Sequence, residues 1–344
     1  MNAMAPSLRQ RTVKASLALA FFACAVAGLP GCAAPRTPAP AETAEGQGAV
    51  RFMPLRLSGI SVGEGPAQAL WALQRGTLAP PLRYRVVVIP GSGCAGMGPL
   101  ADRYFRGLLH AQVTVLHKPG VHPQDTTAPA DCPPHFVQTD SLSHWAAHAR
   151  AALEQIVAMP PPARVDGPSL PLLLVGISEG VELLPTLAAA AGPGLAGMVM
   201  VSGSGLDPRE AGRLQALRTG HSADWDALGR MQASTAPDST VHQGRSLRYW
   251  RDLWQWPVQQ PLIHGPWPLL QVWGEQDGLV PAAAYQAFAQ MAQQRAAPYC
   301  TRSLPGADHG LQAPDLDGVQ QVWQWVQQWA RSPGAGLCAP LAVH

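Results

Sequence analysis

Lysine is nearly missing from this chain: Lys14 and Lys118 are the only two in 344 residues, and charged residues of all kinds make up 13%. Three basic residues, Arg9, Arg11 and Lys14, precede any expected cleavage point; without them 21 basic residues face 22 acidic ones. A near-neutral chain with no basic stripe lacks the electrostatic footprint of a nucleic-acid binder. The apolar run near the start, "ASLALAFFACAVAGL" over 15–29, is shorter than the roughly 20 residues a stable membrane span needs. No internal repeat is evident, which argues against solenoids and propellers. The H-E-x-x-H zinc pattern is missing too. His144 and His148 stand four apart on an expected helix, but no glutamate follows His144, so they read as a polar helix face. Neither a metal nor a cofactor is expected.

What is present is apolar: 47% of the residues, enough for one large domain or two small ones. Basic residues followed by a short apolar run read as an export signal over 1–31. It ends in "LPGC", Leu29 to Cys32, which resembles the lipobox of bacterial lipoproteins, although Pro30 departs from the usual small or β-branched residue. That resemblance implies lipidation of Cys32, a membrane anchor and a domain facing the periplasm. The rival is cleavage after "AVA" (25–27) and a soluble exported protein. Residues 32–48, rich in Ala and Pro, read as a tether ahead of a domain over 49–344. Cys94, Cys132, Cys300 and Cys338 remain beyond the leader. Export favours disulfides over free thiols. Of the three possible pairings, Cys94–Cys132 and Cys300–Cys338 each join segments a few elements apart, and we favour them.

From residue 49 onward strands and helices alternate. "VRFMPLRLSGI", "ALWALQRG", "RYRVVVIPG", "QVTVLHKPG", "LPLLLVG", "LAGMVMVSGSG", "PLLQVWGEQDG" and "PYCTRSLPGADHG" read as strands. Helices are expected at "DRYFRGLLHA", at 141–159 with Ser141 or Ser143 as cap, after residue 180, and at about 282–295 and 315–331. Apolar strands separated by helices make a mostly parallel sheet covered on both faces. The stretch at about 206–264 breaks this rhythm. It reads as helical and carries Trp225, Trp250, Trp254 and Trp256, which suits a lid whose tryptophans pack more often than they touch substrate.

One strand runs straight into "GISEG", Gly176 to Gly180, a match to G-x-S-x-G. Two glycines allow a strand to turn sharply into a helix and hold Ser178 exposed at the apex. A serine hydroxyl needs a base, and the base an orienting partner. Among eleven histidines His309 stands out, in "GADHG" after the last strand; Asp277, in "GEQDG" just past a strand end, is the candidate orienter and Glu275 the runner-up.

Ser178, Asp277 and His309, in that order, resemble the α/β-hydrolase superfamily over about residues 50–335. The resemblance implies an α/β fold: an eight-stranded, mostly parallel sheet with helices on both faces and a helical cap inserted before the penultimate strand. It also implies Ser178 as nucleophile, His309 as general base and Asp277 as the residue that orients it. Oxyanion donors would be the backbone N–H of Glu179 and one from "PGSGCAG", Ser92 or Gly93, where relatives carry a His-Gly stretch. A bridged Cys94 would stiffen that loop. His117 and His122, beside "KPG", could line the pocket or simply be solvated, and the Glu179 side chain could repel anionic substrates or be solvated.

The expected activity is cleavage of a small-molecule carboxylic ester or other acyl substrate through an acyl-enzyme. Peptidase, amidase and acyltransferase chemistry use the same residues. A non-catalytic surface lipoprotein is the alternative of another class.

Overall fold

The computed structural model describes residues 50–60, 69–160, 170–333 and 336–338. The expected leader, Cys32 and the tether lie outside the described residues. Eight strands form one sheet: β1 (Met53–Leu57), β2 (Leu70–Arg75), β3 (Tyr84–Ile89), β4 (Ala111–Leu116), β5 (Leu172–Ile177), β6 (Leu195–Val201), β7 (Leu269–Gly274) and β8 (Tyr299–Leu304). They lie side by side in the order β1-β2-β4-β3-β5-β6-β7-β8. β2 runs antiparallel to both its neighbours, and every other pairing is parallel. The expected mostly parallel sheet is present.

The strands are apolar on both faces because both are covered. Along β3, Val87 and Ile89 join one core with the helices Leu142–Ala158 and Leu184–Ala191, while Tyr84, Val86 and Val88 join the other with Gly98–Tyr104 and Gly318–Arg331. β5 splits likewise, with Leu172 and Leu174 on one side and Leu173 and Val175 on the other. This two-sided burial is what an unbroken aliphatic strand encodes. Ser141 caps the Leu142–Ala158 helix, its Oγ accepting the His144 N–H at 3.3 Å.

Two elements differ from expectation. The helix expected at "DRYFRGLLHA" begins earlier and ends at Tyr104, so its second half is turn. There Gly107 passes so close to Trp323 that a Cβ would lie 2.8 Å from the tryptophan's own. The excursion between β6 and β7 is mainly helical, with helices Pro208–Thr219, Ser222–Gln232, Leu247–Gln255 and Gln259–His264, but it also holds a small hairpin, Val241–His242 with Arg245–Ser246. Both hairpin turn residues, Gln243 and Gly244, have positive φ, as a tight two-residue turn requires.

The cap is rooted at its base, where Asp207 Oδ1 accepts the N–H groups of Val258 and Gln259 at 2.7 and 2.9 Å. Its tryptophans pack. Trp225 stacks on Trp254 at 4.7 Å, Trp250 is buried, and Trp256 donates its indole N–H to the Glu182 carbonyl at 2.9 Å.

Both favoured disulfides are present. Cys94–Cys132 joins the loop after β3 to the segment following β4, and Cys300–Cys338 joins β8 to the C-terminal segment. Such bonds suit an oxidising compartment. Among the described residues no helix is long and apolar enough to cross a membrane.

Candidate active site

The site grows from the turn after β5. Ser178 has φ of +53°, a left-handed conformation that costs a non-glycine residue about 1 kcal/mol or more. The neighbouring glycines make that turn possible. A Cβ on Gly180 would stand 2.1 Å from the Ile89 carbonyl oxygen, and one on Gly176 would stand 2.7 Å from the Val181 backbone. The chain then enters a 3-10 turn over Ser178–Leu183 before the helix Leu184–Ala191.

Two loops from other strand ends meet this serine. The Ser178 Oγ lies 3.0 Å from His309 Nε2, and His309 Nδ1 lies 2.8 Å from Asp277 Oδ2. With Nδ1–H donating to the carboxylate, Nε2 is left to accept the serine proton. Asp277 is buried and accepts from four groups: His309, the Tyr285 hydroxyl at 2.7 Å, and the N–H groups of Leu279 and Val280 at 2.8 and 2.9 Å. Burial alone would raise this carboxyl, but the hydrogen bonds and the charge of His309 outweigh it and hold it below its usual value. The His309 loop is held in turn by Ser202, whose hydroxyl donates to the His309 carbonyl at 2.7 Å. Glu275, the runner-up, is exposed and accepts from Ser303 at 2.8 Å, while the histidine bonds Asp277.

The loop after β3 packs on the serine. A Cβ on Gly91 would lie 3.2 Å from the Ser178 Cβ, and Gly93 has φ of +106°. This loop, with Ser92 in it, is tied to the segment after β4 by the Cys94–Cys132 bridge, by Gly96 N–H to the Asp125 carbonyl at 2.8 Å, and by Met97 N–H to His117 Nε2 at 3.0 Å. His117 is therefore a buried tether, and burial pushes its pKa down to about 4. His122 stands edge-on to Trp71. Neither histidine lines the cavity beside Ser178. His148 is also buried, its Nδ1 2.8 Å from the His144 carbonyl, so the His144–His148 face is half core rather than wholly polar surface.

The side chain of Glu179 departs furthest from a solvated carboxylate. It is buried, receives a hydrogen bond from Lys118, accepts the Tyr249 hydroxyl at 3.2 Å, and lies 3.7 Å from Arg245. Lys118 also contacts Asp140 at 2.9 Å, and Arg245 bonds the same carboxylate. Two cations and two carboxylates thus neutralise each other beneath the turn, joining the end of β4, the approach to the Leu142–Ala158 helix, and the cap. Sequence reasoning missed this cluster, and it missed Ser202 and Tyr285. The one available signal was a lone lysine directly after a buried strand.

Beside Ser178 opens a cavity of about 480 Å³, its mouth included. The Ser178–Leu183 turn, the Ser202–Leu206 loop, the cap helix Pro208–Thr219 and the Leu279–Pro281 segment wall it.

No family model and no curated protein sequence matches the chain. Solved structures do. Est1E from Butyrivibrio proteoclasticus superposes with a TM-score of 0.54 at 15% identity, over 81% of this chain and 99% of that one. Alpha/beta hydrolase domain-containing protein 10 from mouse gives 0.51 at 15%, over 80% and 98%. A puromycin-hydrolyzing peptidase of Mycobacterium tuberculosis gives 0.53 at 16%, over 86% of this chain and 40% of that one. These likenesses are likenesses of fold: the chain has the α/β-hydrolase fold.

Proposed function

We propose that the protein is a serine hydrolase that cleaves carboxylic esters through an acyl-enzyme on Ser178. The observation that carries this reading is the unbroken chain of hydrogen-bond contacts Ser178–His309–Asp277, at 3.0 and 2.8 Å, at the C-terminal edge of a parallel sheet. His309 Nε2 takes the serine proton as Oγ attacks the ester carbonyl, then gives it to the departing alcohol. A water, losing its proton to the same nitrogen, releases the acid and restores the serine. Asp277 fixes the tautomer and stabilises the imidazolium. The oxyanion would rest on the backbone N–H of Glu179 and on one from Ser92 or Gly93; losing one such donor typically costs roughly 3–4 kcal/mol in the barrier.

The neighbours lend support of a general kind, since ferulic acid, a carboxylic acid, is bound to Est1E in a second structure of that protein. Amide cleavage is the second reading, favoured by the likeness to the peptidase. Acyl transfer and a non-catalytic role remain behind both. A fluorophosphonate probe tests the core of the reading: it should label the protein and spare Ser178→Ala, and equal labelling of the two removes Ser178 as nucleophile. Rates on p-nitrophenyl esters against aminoacyl p-nitroanilides then divide the two hydrolytic readings. Export, with lipidation at Cys32, completes the proposal; incorporation of labelled palmitate lost in Cys32→Ser checks it.

A further inference from the structure

Three carboxyl groups and two cations stand together under the cap: Asp140, Glu179 and Glu182 against Lys118 and Arg245. Four of them pair off, and Glu182 is the carboxyl left over. Its Oε2 is enclosed and finds no hydrogen-bond partner among the described residues. Burial, reinforced by the Glu179 carboxylate, raises its pKa well above the usual range, with Lys118 and Arg245 pulling the other way.

Glu182 also lines the cavity beside Ser178, four residues further along the same turn. Other polar groups on that wall are already engaged. Ser202 donates to the His309 carbonyl, Ser204 accepts the Leu206 N–H at 3.2 Å, and Gln215 donates to the Gly278 carbonyl at 3.0 Å. Most of the remaining lining is apolar, including Val181, Leu206, Val258 and Val280. An unpaired acid in such a wall is costly to keep, and that cost points to a ligand which supplies its partner.

The charge count says what the partner is. With both cations committed, ionised Glu182 leaves one negative charge in excess, and one ligand cation balances it. We propose that Glu182 is a specificity-determining residue whose carboxylate binds a primary ammonium group of the substrate, so that the preferred substrates are esters carrying an amine. This rests on Ser178 being the nucleophile only for the turnover test, not for binding. Whatever proton Glu182 holds in the free protein passes to solvent on binding, and the ligand's ammonium takes its place. Charge is conserved.

Two measurements test it. The first compares kcat/KM for p-nitrophenyl alaninate with the matched propionate and lactate esters, and for aminoethyl acetate with ethyl acetate, so that both sides of the scissile bond are read. A preference for the amine of about ten- to a hundredfold in either series, falling to near unity in Glu182→Gln, is expected. Equal rates, or a preference that survives the substitution, overturn the proposal while leaving the hydrolase reading intact. The lactate ester asks whether a neutral hydroxyl serves as well; where the alaninate is preferred over the propionate, an equal rate on the lactate also overturns the proposal. The second measurement needs no activity. Calorimetry of alanine methyl ester and aminoethyl acetate should show binding to Ser178→Ala by at least one of the two, weakened about tenfold or more when Glu182→Gln is added, with up to one proton released per ligand. Binding of neither ester, or binding undiminished by Glu182→Gln, sinks the idea.

Discussion

Asp277 and Glu182 are two carboxyl groups flanking the same serine, and their surroundings drive them apart. Asp277 accepts four hydrogen bonds, and its pKa is held down. Glu182 has an enclosed oxygen with no partner, beside another carboxylate, and its pKa is driven up. Burial pushes in the same direction at both; donors decide the outcome. The surroundings of one favour an anion beside a histidine. Those of the other disfavour the anion and offer it no hydrogen-bonded counter-ion among the described residues. Two carboxyls with opposed environments and separate tasks is a recurring way to run chemistry at neutral pH.

The sharpest way to break this contrast is at Asp277. Asp277→Asn keeps the shape but removes the charge and allows the wrong imidazole tautomer, so kcat on a p-nitrophenyl ester should fall by about 10⁴ with little change in KM. A drop of less than tenfold would mean that the carboxylate does not orient His309.

Next in size is the cluster that leaves Glu182 without a cation. Lys118 touches both Asp140 and Glu179, with side chains about 3% to 6% exposed, so Lys118→Met leaves two buried carboxylates to Arg245 alone. A loss of about 3–5 kcal/mol in urea denaturation is expected. A loss below about 1 kcal/mol would show that the cluster relaxes into solvent, and the charge count at Glu182 would need redrawing.

How much of this was legible in the sequence follows from how local each signal is. The turn at Ser178 could be read because strand, glycines and serine are contiguous in "LPLLLVGISEG". Asp277 and His309 could be read because each follows a strand that announces itself, and a parallel sheet gathers its strand ends on one edge. The buried cluster could not. It joins residues 118, 140, 179 and the stretch 245–249 from four separate segments, and apart from the lone lysine no local pattern distinguishes a buried ion from a surface one. Glu182 was hidden for the same reason, as one charged residue in a mostly apolar helical stretch. The hairpin in the cap lacked the Asn-Gly signal that marks such turns, and Gln243-Gly244 takes its place.

The pH dependence of Glu182→Gln examines this carboxyl directly. A carboxyl whose folded pKa is raised makes the folded state bind more protons than the unfolded chain, so it lowers stability as pH rises above the unfolded value of about 4.3. Glutamine carries no such cost. The variant should match the parent near pH 4 and become the more stable by roughly 1.4 kcal/mol per pH unit until the folded carboxyl itself ionises. Urea midpoints from pH 4 to 7 check this, and a variant never more stable than its parent means that Glu182 is ionised and paired.

His117 offers the smallest and cleanest control, because here burial acts on a cation rather than an anion. Its Nε2 accepts the Met97 N–H, and burial foremost, with His122 adding to it, lowers its pKa to about 4 against the pull of nearby backbone carbonyls and Asp125. The unfolded chain, with a histidine pKa near 6.5, therefore binds more protons in the window between. The stability linked to His117 is complete above about pH 6.5 and is lost as pH falls towards 4. By pH 5.5 the loss should reach about 1.5 kcal/mol. His117→Gln keeps an acceptor for Met97 without a titrating group, so the difference between the two stability curves isolates the effect from His148, which shifts in the same direction. Parallel curves from pH 7 to 4.5 would mean that water reaches this ring. A gap that opens on acidification would show burial without a charged partner disfavouring the charged form at His117, where the donors around Asp277 reverse the same push.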